Sequence, residues 1–191
     1  MADKRAVILH GTGGSPKGNW FPWLQTQLEQ AGYEVWAPNL PGNETPNRQV
    51  YNDFLFSQDW DFTNNIVIGH SSGAVSVLNL ISDERCPHIK LGILVGAWAH
   101  MRDSDLANPE RFDALFPPDG FDFELIKSKS DELMFIHGDN DQLCPYEQAQ
   151  WLAEQTQSEL LTIPGGGHLR YADGYTELPQ LTDALKARNL L

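Results

Sequence analysis

The chain has 191 residues, 41% of them hydrophobic, which is enough to form one globular domain over residues 1–191 with a substantial core. Its 26 acidic residues outnumber the 13 basic ones, and the net charge of −13 argues against nucleic acid and anionic membranes as partners. Because it has two cysteines, no signal-peptide core and no apolar run of membrane-spanning length, we expect a cytoplasmic protein without a disulfide framework.

Four short apolar segments, bounded by polar or glycine-rich sequence, predict buried β-strands at 6–10, 65–69, 91–96 and 133–138. They lack a clean alternation of apolar and polar residues. This pattern is typical of a parallel sheet covered on both faces. Segments 33–39 and 159–165 add two more predicted strands, for about six in all.

Helical patterns lie between several of these strands. Segment 20–32 places apolar residues at helical spacing and ends at a glycine, and further helices are predicted at 71–82, 145–156 and 177–191. Strands that alternate with helices form βαβ units. The sequence therefore predicts an α/β fold, a three-layer α/β/α sandwich with about six mostly parallel strands.

The motif at 69–73, GHSSG, fits the pattern G-x-S-x-G between a predicted strand and a predicted helix. In such a nucleophile elbow the central serine projects from a strained turn, and the N-terminus of the helix favours developing negative charge. This spacing makes Ser71 the predicted nucleophile and Ser72 the donor of a backbone N–H. His70, beside the serine, is expected to pack at the elbow rather than act as a base.

A serine hydroxyl needs a base to accept its proton, and the base needs a carboxylate to orient it. His168, in the glycine-rich loop after the last predicted strand, is the candidate base. Asp139 and Asp141 both follow the strand before it. The spacing G-x-x-D-x-x-x-P, counted from Gly138, favours Asp141 and leaves Asp139 as the alternative. The order serine, aspartate, histidine is that of α/β hydrolases.

A serine that attacks an acyl carbonyl also needs N–H donors for the oxyanion of the transition state. The loop HGTGG after the first strand places Thr12 as one donor, together with Ser72. This loop has neither the P-loop spacing nor the dinucleotide spacing, and the six histidines show no metal-ligand pattern. We therefore expect no metal and no cofactor.

Aromatic residues near these motifs are candidates for binding the substrate. Trp98 follows the end of a predicted strand, where sites form in this kind of fold. Trp20, after the oxyanion loop, and Tyr171, just past the candidate base, are the other two candidates. Trp23 lies at helical spacing and is expected to belong to the core.

Over essentially its full length the sequence resembles the YdeN-like serine hydrolases, small single-domain α/β hydrolases related to the retinoblastoma-binding-protein hydrolase. The resemblance rests on HGTGGSPKGNWFPWLQTQLEQAGYEVWAPNLP, GHSSG, FDFELIKSKS, GDNDQLCP and GGGHL. It implies Ser71 as nucleophile, Asp141 as acid and His168 as base, on a reduced sheet without a large lid. Cys144 stands where the family usually has Val or Leu, and Ser72 stands where it often has Leu.

The resemblance also implies activity on short acyl esters, so a small-molecule acyl substrate is expected, cleaved through an acyl-enzyme intermediate. A peptidase or amidase with the same triad, and a non-catalytic binding module, remain alternatives, and a protein partner stays open. Segment 100–130 is too long for an ordinary connection and is predicted to form a site wall or minimal lid. Its apolar residues suffice for a small pocket wall or for anchoring the loop to the core; they are Leu106, Phe112, Leu115 and Phe116.

Overall fold

A computed structural model describes residues 4–101 and 109–191. Its strands are β1 (Arg5–Leu9), β2 (Glu34–Trp36), β3 (Ile66–His70), β4 (Ile89–Val95), β5 (Ser130–Gly138) and β6 (Glu159–Ile163). These six described strands form one sheet in the order β2-β1-β3-β4-β5-β6, and every neighbouring pair is parallel. The predicted parallel sheet is thus confirmed. Strand β2 is shorter than predicted because it lies at the sheet edge and Pro38 lacks an N–H for the ladder.

The helices are α1 (Phe21–Gln30), α2 (Arg48–Ser57), α3 (Ser72–Ser82), α4 (Phe123–Ser128), α5 (Tyr146–Thr156) and α6 (Pro179–Ala187). Local sequence explains several of their ends. The Asn47 side chain accepts the first N–H groups of α2, and the Asp122 side chain caps α4 in the same way. Gly32, at a φ of +85°, follows the end of α1. The sequence patterns predicted the segments of α1, α3, α5 and α6 but not α2.

The core lies on both faces of the sheet. Along β1, Ala6 and Ile8 belong to the core cluster that includes α1 and α6, whereas Val7 and Leu9 belong to the cluster on the other face, which includes residues of α2, α3, α4 and α5. Because successive residues of a strand point to opposite faces of the sheet, a strand that is apolar at every position is covered by helices on both faces. The predicted three-layer α/β/α sandwich is therefore confirmed.

The order of the strands locates the crevice of the sheet. From β1 the chain first adds β2 on one side, and it then returns to place β3 on the other side of β1. In open α/β sheets, ligands bind at the carboxyl ends of the strands where the order reverses. Here that position lies between the loops that follow β1 and β3, which carry Thr12 and Ser71.

Part of the segment predicted as a site wall packs beside this crevice. Phe112 and Leu115 are buried in a cluster with Val75 and Trp98, and Phe116 packs against it. Leu106 belongs to residues 102–108, outside the described residues. Among the helices of the described ranges, none has the length and apolar character needed to cross a membrane.

Candidate active site

Ser71 occupies a strained turn between β3 and α3. Its φ of 58° and ψ of −127° are unusual for a residue with a side chain. The turn is held by the Ser71 N–H, which donates to the Val95 carbonyl at 2.8 Å. Strain of this kind persists where the surrounding structure enforces it, and it is concentrated at functional sites.

The glycines of the motif are required by close backbone contacts. A Cβ atom placed on Gly69 would lie 2.2 Å from the Gly73 carbonyl oxygen, and one placed on Gly73 would lie 2.2 Å from the Leu9 carbonyl oxygen. On the facing loop, a Cβ on Gly11 would lie 2.9 Å from Ser71 Cβ. Glycine at these positions lets β1, β3 and α3 approach closely enough to form the turn.

His168 and Asp141 form a short hydrogen bond beside this turn. The Nδ1 atom of His168 lies 2.7 Å from Oδ2 of Asp141, and both side chains are buried. Because Asp141 holds the proton on Nδ1, the neutral ring keeps its lone pair on Nε2. Ser71 and the His168 ring line the same cavity.

The Asp141 carboxylate has further partners. Its Oδ1 atom accepts the N–H groups of Leu143 at 2.8 Å and Cys144 at 3.0 Å. The Nε2 atom of His137, which donates to the Cys144 carbonyl, lies 3.3 Å from Oδ2. Burial alone would raise the pKa of Asp141, but the His137 and His168 rings beside it hold that pKa well below its usual range. Asp141 is therefore a stable anion at neutral pH.

Asp139, the alternative acid, has a different place. It is exposed, and its Oδ1 atom accepts the Gly165 N–H at 2.8 Å. The neighbouring Asn140 side chain accepts the Gly167 N–H at 2.7 Å. These two bonds fix the loop that carries His168, so Asp141 is the carboxylate in contact with the imidazole and Asp139 supports the loop.

His70 holds the same histidine loop from the other side. Its Nε2–H donates to the His168 carbonyl at 2.8 Å, and Trp20 and Phe21 pack against its ring. Burial, followed by the positive charge that His168 can carry, lowers the pKa of His70 to about 3. His70 is thus a neutral structural residue.

The loop after β1 carries the predicted oxyanion donors. Thr12 lines the cavity, while the Ser72 hydroxyl is buried and accepts a hydrogen bond from Thr12 Oγ1 at 2.9 Å. Within residues 4–101 and 109–191, the backbone N–H groups of Thr12 and Ser72 have no hydrogen-bond acceptor. Both are therefore available to an external oxygen.

The cavity has a volume of about 550 Å³. Besides the polar groups above, its lining includes an apolar side made by Phe21, Trp98, Phe112 and Leu143. Trp98 is nearly fully buried and packs edge-to-face against Phe112, with ring centroids 5.7 Å apart. The structure thus brings Trp98 to the cavity wall together with Phe112, one of the residues expected to form a small wall, and it adds Phe21, which was not predicted to line the site.

Two of the predicted substrate-binding residues lie elsewhere. Trp20 is fully buried in the core. Its indole N–H donates to the Leu169 carbonyl at 2.9 Å, which holds the ring beneath that loop and away from the cavity lining. Tyr171 opens a short 3₁₀ turn, and 70% of its surface is exposed outside the cavity lining. The assignments of Trp20 and Tyr171 to substrate binding are therefore corrected.

One cluster of the described residues could hold a metal ion. Ligand atoms of Asp141, Cys144 and His168 lie within 4.8 Å of one another. The His168–Asp141 hydrogen bond already uses two of these groups. A metal at this position would have to replace that bond, so the residues fit an oriented imidazole better than a metal centre.

The sheet order and the strained serine turn at the carboxyl end of β3 define an α/β hydrolase fold. Residues 6–187 match the serine hydrolase family, and the chain belongs to that family. It is 28% identical to YdeN of Bacillus subtilis (strain 168) over 189 residues, which cover 95% of this chain and 94% of YdeN.

A second relative is the serine hydrolase RBBP9 of Rattus norvegicus, which is 25% identical over 186 residues, covering 96% of this chain and 94% of that protein. The crystal structure of the ydeN gene product from B. subtilis superposes with a TM-score of 0.85 at 24% identity. The superposition covers 96% of this chain and 97% of that one. These matches confirm the predicted membership of the YdeN-like serine hydrolases and the predicted fold.

The buried neutral state of His70 should make stability depend on pH. The pKa of His70 is lowered to about 3 in the folded chain, so the unfolded chain binds more protons between about pH 6.5 and that value. Stability is full above this window and is lost as the pH falls through it, by up to about 1.4 kcal/mol per pH unit. Urea denaturation between about pH 7 and about pH 4 measures the slope.

The variant His70→Gln retains an amide N–H for the His168 carbonyl but removes the titrating ring. We expect a shallower dependence of the free energy of unfolding on pH, with His10, whose pKa burial also lowers, and carboxylates with lowered pKa values such as Asp141 contributing to what remains. The exposed residue His100 provides the matched control, and His100→Gln should keep the wild-type slope. An unchanged slope in His70→Gln would show that His70 does not resist protonation.

Proposed function

We propose that the protein is a carboxylic ester hydrolase that forms an acyl-enzyme at Ser71. The observation that carries the proposal is the cavity shared by Ser71 and His168, with the Nδ1 atom of His168 bound to the buried Asp141. A serine, an imidazole and an orienting carboxylate in this order are the elements of acyl transfer. A small-molecule acyl ester is the expected partner of the site.

In the first step, Ser71 Oγ attacks the ester carbonyl while Nε2 of His168 accepts its proton. The carbonyl oxygen becomes an oxyanion, which the backbone N–H groups of Thr12 and Ser72 bind. Such donors act strongly because they are fixed before the reaction begins. The hydrogen bond from Thr12 to Ser72 supports this role, since it ties the loop after β1 to the start of α3.

In the second step, His168 gives the proton to the departing alkoxide, and the C–O bond of the ester breaks. Water then attacks the acyl-enzyme, with His168 again accepting and returning a proton, which releases the acid and restores Ser71. Asp141 stays ionised throughout and stabilises the imidazolium. Its lowered pKa supports this role, because the carboxylate is charged at neutral pH.

The size and lining of the cavity support a short acyl group. Its volume of about 550 Å³ has to hold the acyl group and the alcohol together. The apolar side is formed by few residues, notably Trp98 and Phe112. A long acyl chain would need a broad apolar surface, which this wall does not supply among the described residues.

The two serines of the elbow should differ sharply when each is replaced by alanine. Ser71→Ala should lower ester turnover by about 10³-fold or more, because the nucleophile is gone. Ser72→Ala keeps its backbone N–H and loses only the hydroxyl that accepts from Thr12, so its loss should stay near tenfold or below. Turnover of 4-nitrophenyl acetate and labelling by a fluorophosphonate probe measure both.

Equal losses in both variants, or labelled Ser71→Ala protein, would refute Ser71 as the nucleophile. A folded wild-type protein that is neither labelled nor active on any ester would instead favour a non-catalytic binding module. Circular dichroism of each variant shows whether the protein is folded.

The two aspartates provide a second matched pair. In Asp141→Asn, the amide oxygen is expected to accept from Leu143 and Cys144, which turns the NH₂ group toward His168 and forces the wrong tautomer. We expect kcat to fall by about 10²- to 10⁴-fold. Asp139→Asn keeps an oxygen for the Gly165 N–H and should lose less than about tenfold. The reverse ranking would assign the acid to Asp139.

The acyl-chain preference can be measured with 4-nitrophenyl esters from acetate to palmitate. We expect kcat/KM to be highest for short chains and to fall beyond medium chains, because the apolar wall is small. The rate should show no jump where the substrate exceeds its solubility, since no broad apolar lid is present among the described residues. A rise toward palmitate, or such a jump, would contradict the proposed substrate size.

A further inference from the structure

The charged side chains of the cavity are opposite in sign to the chain as a whole. The chain has a net charge of −13, yet Arg111 and Arg170 line the cavity that holds Ser71. No Asp or Glu of residues 4–101 and 109–191 lines it. We infer that the ester taken by this cavity carries a carboxylate, which the guanidinium group of Arg111 or of Arg170 binds. The inference rests on the proposed function, because it names the substrate class of the same site.

Arg170 lies two residues beyond His168 and is anchored by one end of its head group. Its Nε donates to the Asp173 carboxylate at 3.2 Å, and Asp173 lies outside the cavity lining. Within the described ranges, the two Nη groups of Arg170 have no protein acceptor. The side chain is 43% exposed. Its two terminal nitrogens are therefore available to a ligand in the cavity.

Arg111 is held in a similar way on another part of the rim. Its Nε donates to the Glu44 carbonyl at 3.3 Å, and its guanidinium carbon lies 5.3 Å from the centroid of the Phe112 ring. The Glu44 carboxylate is 3.8 Å from an Nη atom, beyond hydrogen-bond distance, and its side chain is 77% exposed. Since such an exposed pair is weak, a carboxylate in the cavity can compete for Arg111.

The shape of the arginine head group favours a carboxylate. Two parallel N–H groups of a guanidinium match the two oxygens of a carboxylate, and this match gives geometric specificity as well as attraction. In a purely structural interpretation, both arginines are solvated surface residues paired with nearby acids. It leaves unexplained why the described lining of a strongly acidic chain contains arginines and no carboxylate.

The carboxylate could lie on either part of the ester. His168 gives its proton to the leaving alcohol, so the alcohol departs beside His168, and Arg170 is the near cation for a carboxylate on that part. Arg111 adjoins Phe112 in the apolar wall proposed for the acyl group, so it is the near cation for a carboxylate on the acyl chain. The two positions can be distinguished by two pairs of esters.

The acyl pair is mono-4-nitrophenyl adipate and 4-nitrophenyl hexanoate, which have chains of equal length and differ in one carboxylate. The alcohol pair is 4-acetoxybenzoate and its methyl ester. Each kcat/KM is divided by the rate of hydroxide hydrolysis of the same ester. We expect the anionic member of at least one pair to be preferred by about fivefold or more, and the preference to shrink as salt is added.

The variants then assign the carboxylate. Arg111→Gln should abolish a preference in the acyl pair, and Arg170→Gln should abolish one in the alcohol pair. Arg48→Gln removes the same charge outside this cavity and should keep the wild-type preference, which excludes an effect of net charge alone. Circular dichroism and fluorophosphonate labelling of each variant show that the fold and the nucleophile are intact.

The outcomes separate this inference from the proposed function. If the neutral esters are hydrolysed at least as well as the anionic ones, the inference is overturned while the esterase remains. A preference that survives in both Arg111→Gln and Arg170→Gln also overturns it. If no ester of either pair is hydrolysed and the probe does not label the wild type, the proposed function fails, and the inference fails with it.

Discussion

The candidate site depends on the direct contact of one backbone segment with another at the carboxyl ends of β1 and β3. The first turn of α3 lies against the end of β1 so closely that a Cβ on Gly73 would be 2.2 Å from the Leu9 carbonyl oxygen. Real atoms do not approach that closely, so no residue other than glycine fits. Because the helix begins against the sheet, the chain must turn at one residue, and Ser71 takes a positive φ to do so. The position of the serine is thus a consequence of backbone packing two residues further along the chain.

A second set of glycine contacts fixes the histidine. A Cβ on Gly138 would lie 2.2 Å from the Gly167 carbonyl oxygen, and one on Gly96 would lie 3.1 Å from Cε1 of His168. The loops after β5 and β6 are therefore packed backbone against backbone, and the loop after β4 packs against the His168 ring. His70, at the end of β3, joins this group to the serine turn through its bond to the His168 carbonyl. Its neutral ring lets that link form inside an apolar core.

The sequence could predict what local patterns encode. Buried strands, the helix after the elbow and the spacing of Asp141 from Gly138 are all readable within short windows. Helix α2 was missed because its inner face is not purely apolar: Asn52 is buried with Tyr51, while Val50 is 45% exposed.

Features that arise only from tertiary contacts could not be predicted. The contact of Trp20 with the Leu169 carbonyl joins two distant parts of the chain, so nothing near Trp20 indicates that its ring turns away from the cavity. His137 could have drawn notice as a polar residue in a buried strand just before the acid, but its distance to Asp141 depends on the loop between them. Arg111 and Arg170 line one cavity only because separate loops meet at the carboxyl ends of the strands.

Asp141 connects the chemistry of the site to its stability. In a chain of net charge −13, a further buried negative charge is unfavourable unless donors surround it. One oxygen of this carboxylate holds the backbone of Leu143 and Cys144, and the other holds His168. Because the pKa of Asp141 lies below its usual range, its contribution to stability is present at neutral pH and is lost progressively as the pH falls from about 4 toward the lower folded pKa. Protonation there would release the loop after β5 and the imidazole together, so the group that orients His168 also holds the wall of the cavity in place.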